Sequence, residues 1–297
     1  MKKKLLALLL VFVFVIGGCV GGKPVTPGPI ELVDDFGREV QLETAAASIV
    51  SLAPSSTEII FALGCGDLLV GATEYCNYPE EAEEIPRVGG FSDPNLEEIV
   101  ALEPDLVLAA SLHQETVEAL EDMEIAVLAL NPEDIEGIYA NINLIAKAIG
   151  AEESAADLIA SMKKRLKSVA DTISALGDEE RPVVYYEVWY PAPMTAGEDT
   201  FIHEMITLAG GKNVAWGTTG WPTLQEEELF ERNPQVIVHG YYDVETSVFA
   251  ARDGWNVITA VAEENIYFID PDIINRTGPR VVDAVEQMVK FFHPYKF

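Results

Sequence analysis

The chain has 297 residues, 49% of them hydrophobic, which supplies a core for one large or two medium domains and excludes a largely disordered chain. Its 49 acidic residues against 19 basic ones give a formal net charge of −30, a balance that repels nucleic acid and anionic lipid headgroups.

The first stretch reads as an export signal. Three lysines follow Met1, and residues 5–16 are an unbroken apolar run. Such a run reaches about 18 Å as a helix, short of a hydrocarbon core of roughly 30 Å, so it does not form a stable span. The sequence Gly17-Gly18-Cys19 then resembles a lipoprotein signal-peptidase site, with Cys19 as lipid acceptor. The expectation is a signal peptide at 1–18, a flexible tether at 19–29 and a protein held by lipid on the outer face of the cell membrane. Loss of the three lysines would take the formal charge from −30 to −33.

From residue 30 the pattern is that of an α/β protein. A small hairpin is expected around Gly37, then a buried strand at 48–52. Ser55 and Glu58 read as a capping box for a helix over 57–63. Strands follow at 68–72, 106–109 and 126–130, and helices at 95–102, 114–123 and 134–149. Short continuous apolar strands alternating with helices argue for a parallel sheet covered on both faces. Residues 151–176 place apolar side chains at helical spacing over about seven turns, with Gly150 before and Gly177 after as stops. The alternation then restarts with strands at 183–188, 236–239 and 266–269 and helices at 200–208, 226–232, 258–262 and 281–292.

The two halves resemble each other. Residues 96–108 align without gaps on residues 226–238, pairing Glu97 with Glu227 and Pro104 with Pro234. A weaker echo aligns 62–66 with 207–211. Two equivalent Rossmann-like lobes, residues 30–150 and 178–297, joined by one long helix at 151–177, are therefore expected.

Catalytic signatures are missing. There is no P-loop, no dinucleotide fingerprint and no nucleophile elbow. The four histidines, His113, His203, His239 and His293, are isolated, which argues against a metal receptor built on imidazoles. Cys65 and Cys76 read equally as a disulfide or as two buried thiols. Aromatic and polar residues instead gather at the expected strand exits, where open α/β sheets bind ligands. These are Tyr75, Phe91, Trp189, Tyr190 and Tyr241, with Trp221 in a Gly/Thr/Pro loop and Asp272, Asn275 and Arg276 in the loop before the last helix. Arg276 reads either as a ligand contact or as an ion-pair partner of Asp272. Glu97 and Glu227 each open a short helix, where the dipole stabilises a carboxylate, and offer one matched acidic point per lobe to a basic partner.

Six stretches carry a family resemblance over roughly residues 31–295: SIVSLAPSSTEIIFALG, LVGATEYCNYPEEA, VGGFSDPNLEEIVALEPDLVLA, TAGEDTFIHEMITLAGGKNVA, WPTLQEEELFERNPQVIV and RTGPRVVDAVEQM. The chain resembles the exported substrate-binding proteins of ABC importers in the cobalamin, ferric-siderophore and haem group, and within it the cobalamin receptors. The resemblance implies two lobes on a rigid helix (the class III arrangement), a transported corrinoid and no enzymatic cofactor. It also implies an ABC permease with its cytoplasmic ATPase as partner, a monomer, and docking through Glu97 and Glu227. Tyr75, Phe91, Trp221, Asp272 and Arg276 fall at corrinoid-contacting positions. Two departures keep haem and iron chelates open as ligands: there is no tryptophan near Ala110-Ser111, and Asn275 stands in place of a carboxylate. An extracytoplasmic tetrapyrrole-modifying enzyme is the alternative from another class.

Overall fold

The computed structural model describes residues 28–296; the expected signal peptide, Cys19 and most of the expected tether lie outside the described residues. The first element is a hairpin of β1 (Ile30–Val33) and β2 (Glu39–Leu42). Buried Asp34 closes it, accepting from the amides of Phe36 and Arg38 at 3.0 Å each.

The N-terminal lobe contains β3 (Ile49–Ser51), α1 (Pro54–Ala62), β4 (Leu69–Ala72), α2 (Leu96–Ala101), β5 (Leu106–Ala110), α3 (Gln114–Asp122), β6 (Val127–Leu130) and α4 (Ile135–Ile149). Its sheet is parallel in the order β4-β3-β5-β6. The C-terminal lobe contains, after α5 (Glu152–Ile173), β7 (Val183–Glu187), α6 (Phe201–Leu208), β8 (Lys212–Asn213), α7 (Glu226–Arg232), β9 (Val236–His239), α8 (Ser247–Ala250), α9 (Thr259–Ala262), β10 (Ile266–Phe268), α10 (Pro271–Ile274) and α11 (Val281–Phe292). Its sheet is parallel in the order β10-β9-β7-β8. Numbered within each lobe, both sheets have the order 2-1-3-4. The aligned segments 96–108 and 226–238 are the helix and third strand of each lobe. The weaker echo is the end of the first helix in each. The internal resemblance is thus a resemblance of topology.

Strand alternation divides the core into layers. Ile49, Leu106, Leu108 and Leu128 face one side of the N-terminal sheet, and Val50, Val107, Ala109 and Val127 face the other. In the C-terminal sheet Val184, Tyr186, Val236 and Val238 face one side, Tyr185 and Ile237 the other. The inner layers of both lobes are one continuous cluster, joined through Ala155, Met162, Val169 and Ile173 of α5. Polar ties reinforce the spine: Lys163 lies 4.6 Å from the ring centroid of Tyr139 on α4, and Arg165 pairs with Asp283 and, at 2.6 Å, with Glu286 on α11.

Several expectations need correction. The spine helix ends at Ile173, before Gly177, whose backbone is extended (φ −65°, ψ 162°). The side chain of Ser174 donates to the Asp171 carbonyl at 2.7 Å and takes up one of the end carbonyls. Ser55 and Glu58 form no capping box. Pro54 is pre-set for a first helical turn, so α1 starts earlier, with Ala53 as its N-cap, and Glu58 faces elsewhere. The edge strand β8 carries a Lys-Asn pair with no apolar signal. Cys65 and Cys76 are free, and the Thr57 hydroxyl donates to the buried Cys76 Sγ at 3.1 Å.

Candidate functional site: a cleft between the lobes

A cleft of about 860 Å³ opens between the carboxyl ends of the two sheets. In the N-terminal lobe it sits at the topological switch point, where chain segments leave β3 and β5 in opposite directions. The residues there are small: Ala53-Pro54-Ser55-Ser56 after β3, and Ala109-Ala110-Ser111 at the end of β5. Tyr75 and Phe91 wall the same side. The C-terminal lobe contributes Trp221, Asp272, Asn275 and Arg276. Tyr75 is 59% exposed and Trp221 48%, so both rings present apolar area to an incoming molecule.

Phe91 is held by His113. The imidazole Nδ1 accepts from the Ala110 amide at 2.9 Å, so Nε2 carries the proton and donates to the Phe91 carbonyl at 2.6 Å. Burial keeps this imidazole neutral by pushing its pKa down. One histidine thereby ties the end of β5 to the loop that carries Phe91.

Beside the cleft the lobes are clasped. Glu58 of α1 is buried and accepts from Arg276 at 2.9 Å and from Arg280 at 2.6 and 2.8 Å, both from the C-terminal lobe. Arg276 also pairs with Asp272 at 2.7 Å and donates to Asn77 Oδ1 and the Tyr75 carbonyl. Asn77 in turn donates to Asp272 at 2.9 Å, and the Arg280 guanidinium lies 4.0 Å from the Tyr78 ring centroid. A second tie crosses between the lobes where Glu204 of α6 accepts from the Ile135 amide at 2.9 Å. Burial pushes the Glu204 carboxyl above its usual range. The ion-pair reading of Arg276 is the one seen here: it pairs with Asp272 and Glu58 at the lining of the cleft.

Of the nine residues expected to bind ligand, six line this cleft: Tyr75, Phe91, Trp221, Asp272, Asn275 and Arg276. Trp189, Tyr190 and Tyr241 do not. Trp189 is exposed on the turn that leads to Met194. The other two belong to a plug that fills the crevice of the C-terminal sheet. Arg252 pairs with buried Glu187 at 2.6 Å and lies 3.7 Å from the Tyr190 ring centroid and 4.3 Å from that of Trp255. His239 stacks on Tyr241 at 5.7 Å, and its Nδ1 accepts from the Tyr241 amide. The exits of β7 and β9 are occupied from within by this arginine.

Sequence reasoning missed Glu58, Arg280, Asn77 and His113. One signal was present: Glu58 is the lone charge of a helix whose following residues, Ile59, Ile60 and Phe61, are apolar, where an unpaired carboxylate is costly once buried. Among the described residues no group of three or more His, Cys, Asp or Glu is placed to hold a metal ion, and no helix is long and apolar enough to cross a membrane.

Two α/β lobes of the same strand order on a helical spine, with a cleft at the strand ends, define the class III solute-binding arrangement. The periplasmic binding protein family model matches residues 49–273, and the chain belongs to that family, among the substrate-binding proteins of ABC importers. It is 36% identical over 276 residues to the ABC transporter substrate-binding lipoprotein YvrC of Bacillus subtilis (strain 168), covering 91% of this chain and 87% of that protein. It is 31% identical over 279 residues to a cobalamin-binding protein of Halobacterium salinarum, covering 89% of this chain and 74% of that one. The crystal structure of the periplasmic vitamin B12 binding protein BtuF of Vibrio cholerae superposes with a TM-score of 0.71 at 26% identity, covering 84% of this chain and 97% of that one.

Removing Glu58 should expose the value of the clasp. Glu58→Ala strands the Arg280 guanidinium and half-strands Arg276, and a broken buried pair costs about 3–5 kcal/mol. Urea denaturation is expected to show a loss of about 3 kcal/mol or more; a loss below about 1 kcal/mol would show that the arginines are simply rehydrated.

The plug makes a pH prediction. Desolvation, aided by Arg252, pushes the His239 pKa down to about 4 from 6.5. The fold holds the neutral ring while the unfolded chain takes a proton near 6.5, so this group's contribution is complete above about 6.5 and is lost as the pH falls toward 4. The full loss is about 3 kcal/mol. His239→Asn is expected to flatten the stability-against-pH curve over that window relative to the parent, measured by urea midpoints. Parallel curves would place the titration elsewhere.

Proposed function

We propose that the chain is the extracytoplasmic, lipid-anchored receptor of an ABC importer, capturing a corrinoid of the cobalamin class between its lobes and presenting it to the permease. The observation that carries this reading is the cleft itself. Aromatic faces from both lobes, Tyr75 and Phe91 on one side and Trp221 on the other, bracket a volume of about 860 Å³, near the upper end of ordinary ligand pockets. That geometry suits a bulky, flat molecule. The cobalamin-binding and vitamin B12-binding relatives support the choice of ligand. On this reading Cys19 carries the lipid, the protein acts as a monomer, and it performs no chemistry on its cargo.

Haem is the second reading, and one feature favours it: Tyr75 places a phenol, a known type of axial iron ligand, in the cleft. Titration with cyanocobalamin and with haemin, followed by absorbance, separates the two. Saturable cyanocobalamin binding at micromolar concentration or tighter is expected, weakened about tenfold or more by Trp221→Ala, since the stacking and buried area of an indole together contribute about 1.5 kcal/mol or more. Haemin binding that is lost in Tyr75→Phe, with no response to cyanocobalamin, would reverse the assignment.

Glu97 and Glu227 support the docking role by placement. Each is exposed, each is the second residue of the helix before its lobe's third strand, and neither lines the cleft. Glu97→Ala combined with Glu227→Ala is expected to abolish uptake by the reconstituted transporter and leave ligand affinity within about twofold. A parallel fall in ligand affinity would show that the two residues belong to the cleft.

A further inference from the structure

The charges that line the cleft are one-sided. Asp93, Glu133, Asp199 and Asp272 contribute four carboxylates against the single guanidinium of Arg276. That guanidinium is already committed, paired with Glu58 and with Asp272. Among the described residues Asp93, Glu133 and Asp199 take part in no ion pair, and all three are exposed at the cleft. Asp199 is nonetheless fixed in place, accepting from the Gly220 amide at 2.6 Å beside Trp221. Among the described residues, no lysine and no histidine line the cleft. The field inside it therefore has the same sign as the net charge of the whole chain, −30.

We infer that this cleft selects its ligand by charge: it admits a flat molecule whose edge is uncharged or cationic and turns away one whose edge carries carboxylates. The inference rests on the corrinoid reading above and narrows it. A corrin ring in its amidated form presents neutral carboxamides, which donate N–H groups to Asp93, Glu133 and Asp199 and accept from Ser111 and Asn131 at the same rim. The same ring with free carboxyls places several negative charges within a Debye length of three unpaired carboxylates. At about 10 Å in water each like-charged pair costs roughly 0.4 kcal/mol, so a handful of them amounts to about a tenfold loss of affinity at low salt. The specificity is thus set by what the rim repels as much as by what the aromatic walls attract. A cationic corrinoid that lacks the nucleotide arm is admitted on the same grounds.

Three corrinoids test this: cyanocobalamin, cobinamide (amidated, no nucleotide arm) and cobyrinic acid (the same ring with free carboxyls). Each is titrated into the protein by absorbance at about 20 mM and about 300 mM salt, where the screening length falls from roughly 20 Å to below 10 Å. The expected result is that cyanocobalamin and cobinamide bind, that cobyrinic acid is at least about tenfold weaker at low salt, and that the gap narrows at high salt. The double variant Asp93→Asn with Glu133→Gln is expected to narrow the gap at low salt as well. Equal binding of the amidated and carboxylate rings at low salt, or a gap that neither salt nor the double variant changes, overturns the charge rule and leaves the corrinoid reading standing. Failure of both amidated corrinoids to bind overturns the corrinoid reading and this inference with it.

Discussion

The relation between the lobes rests on one buried carboxylate. Glu58 projects from the first helix of one lobe into two guanidiniums of the other, in a position from which water is largely excluded. Such a group is stable only while its partners stay in place, because a desolvated charge without them costs several kcal/mol. It therefore fixes more than one contact. Arg276 is held against Asp272 and the Tyr75 carbonyl, and Arg280 against Tyr78, so the loop with Tyr75 and the segment with Asp272 and Asn275 are located by the same ion cluster. Part of the cleft lining, Tyr75 and the segment with Asp272, Asn275 and Arg276, thus depends on a residue that does not line the cleft.

The second constraint is the shared core. The inner layers of both sheets merge with the buried face of α5 into one apolar cluster. Hinge motion between lobes would have to shear that cluster, and close-packed interiors have few intermediate arrangements. Spine and clasp converge on α11, where Arg280 stands at the N-cap and Asp283 and Glu286 pair with Arg165 of α5. Small adjustments of the cleft walls fit this frame better than wide opening. The His113 link between Phe91 and the end of β5 shows the same economy of movement, since a wall residue is tied directly to a central strand.

Much of this was legible before any coordinates. Apolar runs and helical spacing located the strands and the spine, and the 96–108 and 226–238 match marked the third strand of each lobe. The aromatic residues Tyr75 and Phe91 were also found from their places at strand exits, and Trp221 from its place in a Gly/Thr/Pro loop. The clasp was not, because Glu58 lies 218 residues from Arg276 and 222 from Arg280, and a local capping box explained it equally well. The plug escaped for a similar reason. Arg252 looks like an ordinary surface cation, and nothing nearby in sequence announces that Glu187, Tyr190 and Trp255 will enclose it. Strand β8 was invisible because its two residues are polar.

The plug also explains why duplicated lobes make one site and not two. Each sheet has the same strand order, and so each has a crevice at the equivalent point. In the N-terminal lobe small residues leave that crevice open. In the C-terminal lobe the Glu187–Arg252 pair and its aromatic enclosure fill it. The two halves of the cleft are consequently unlike: the N-terminal side combines small residues with the Tyr75 and Phe91 rings, and the C-terminal side presents Trp221 and the 271–277 segment. The strand order is common to both lobes, and what distinguishes one crevice from the other is the Glu187–Arg252 pair with its aromatic enclosure.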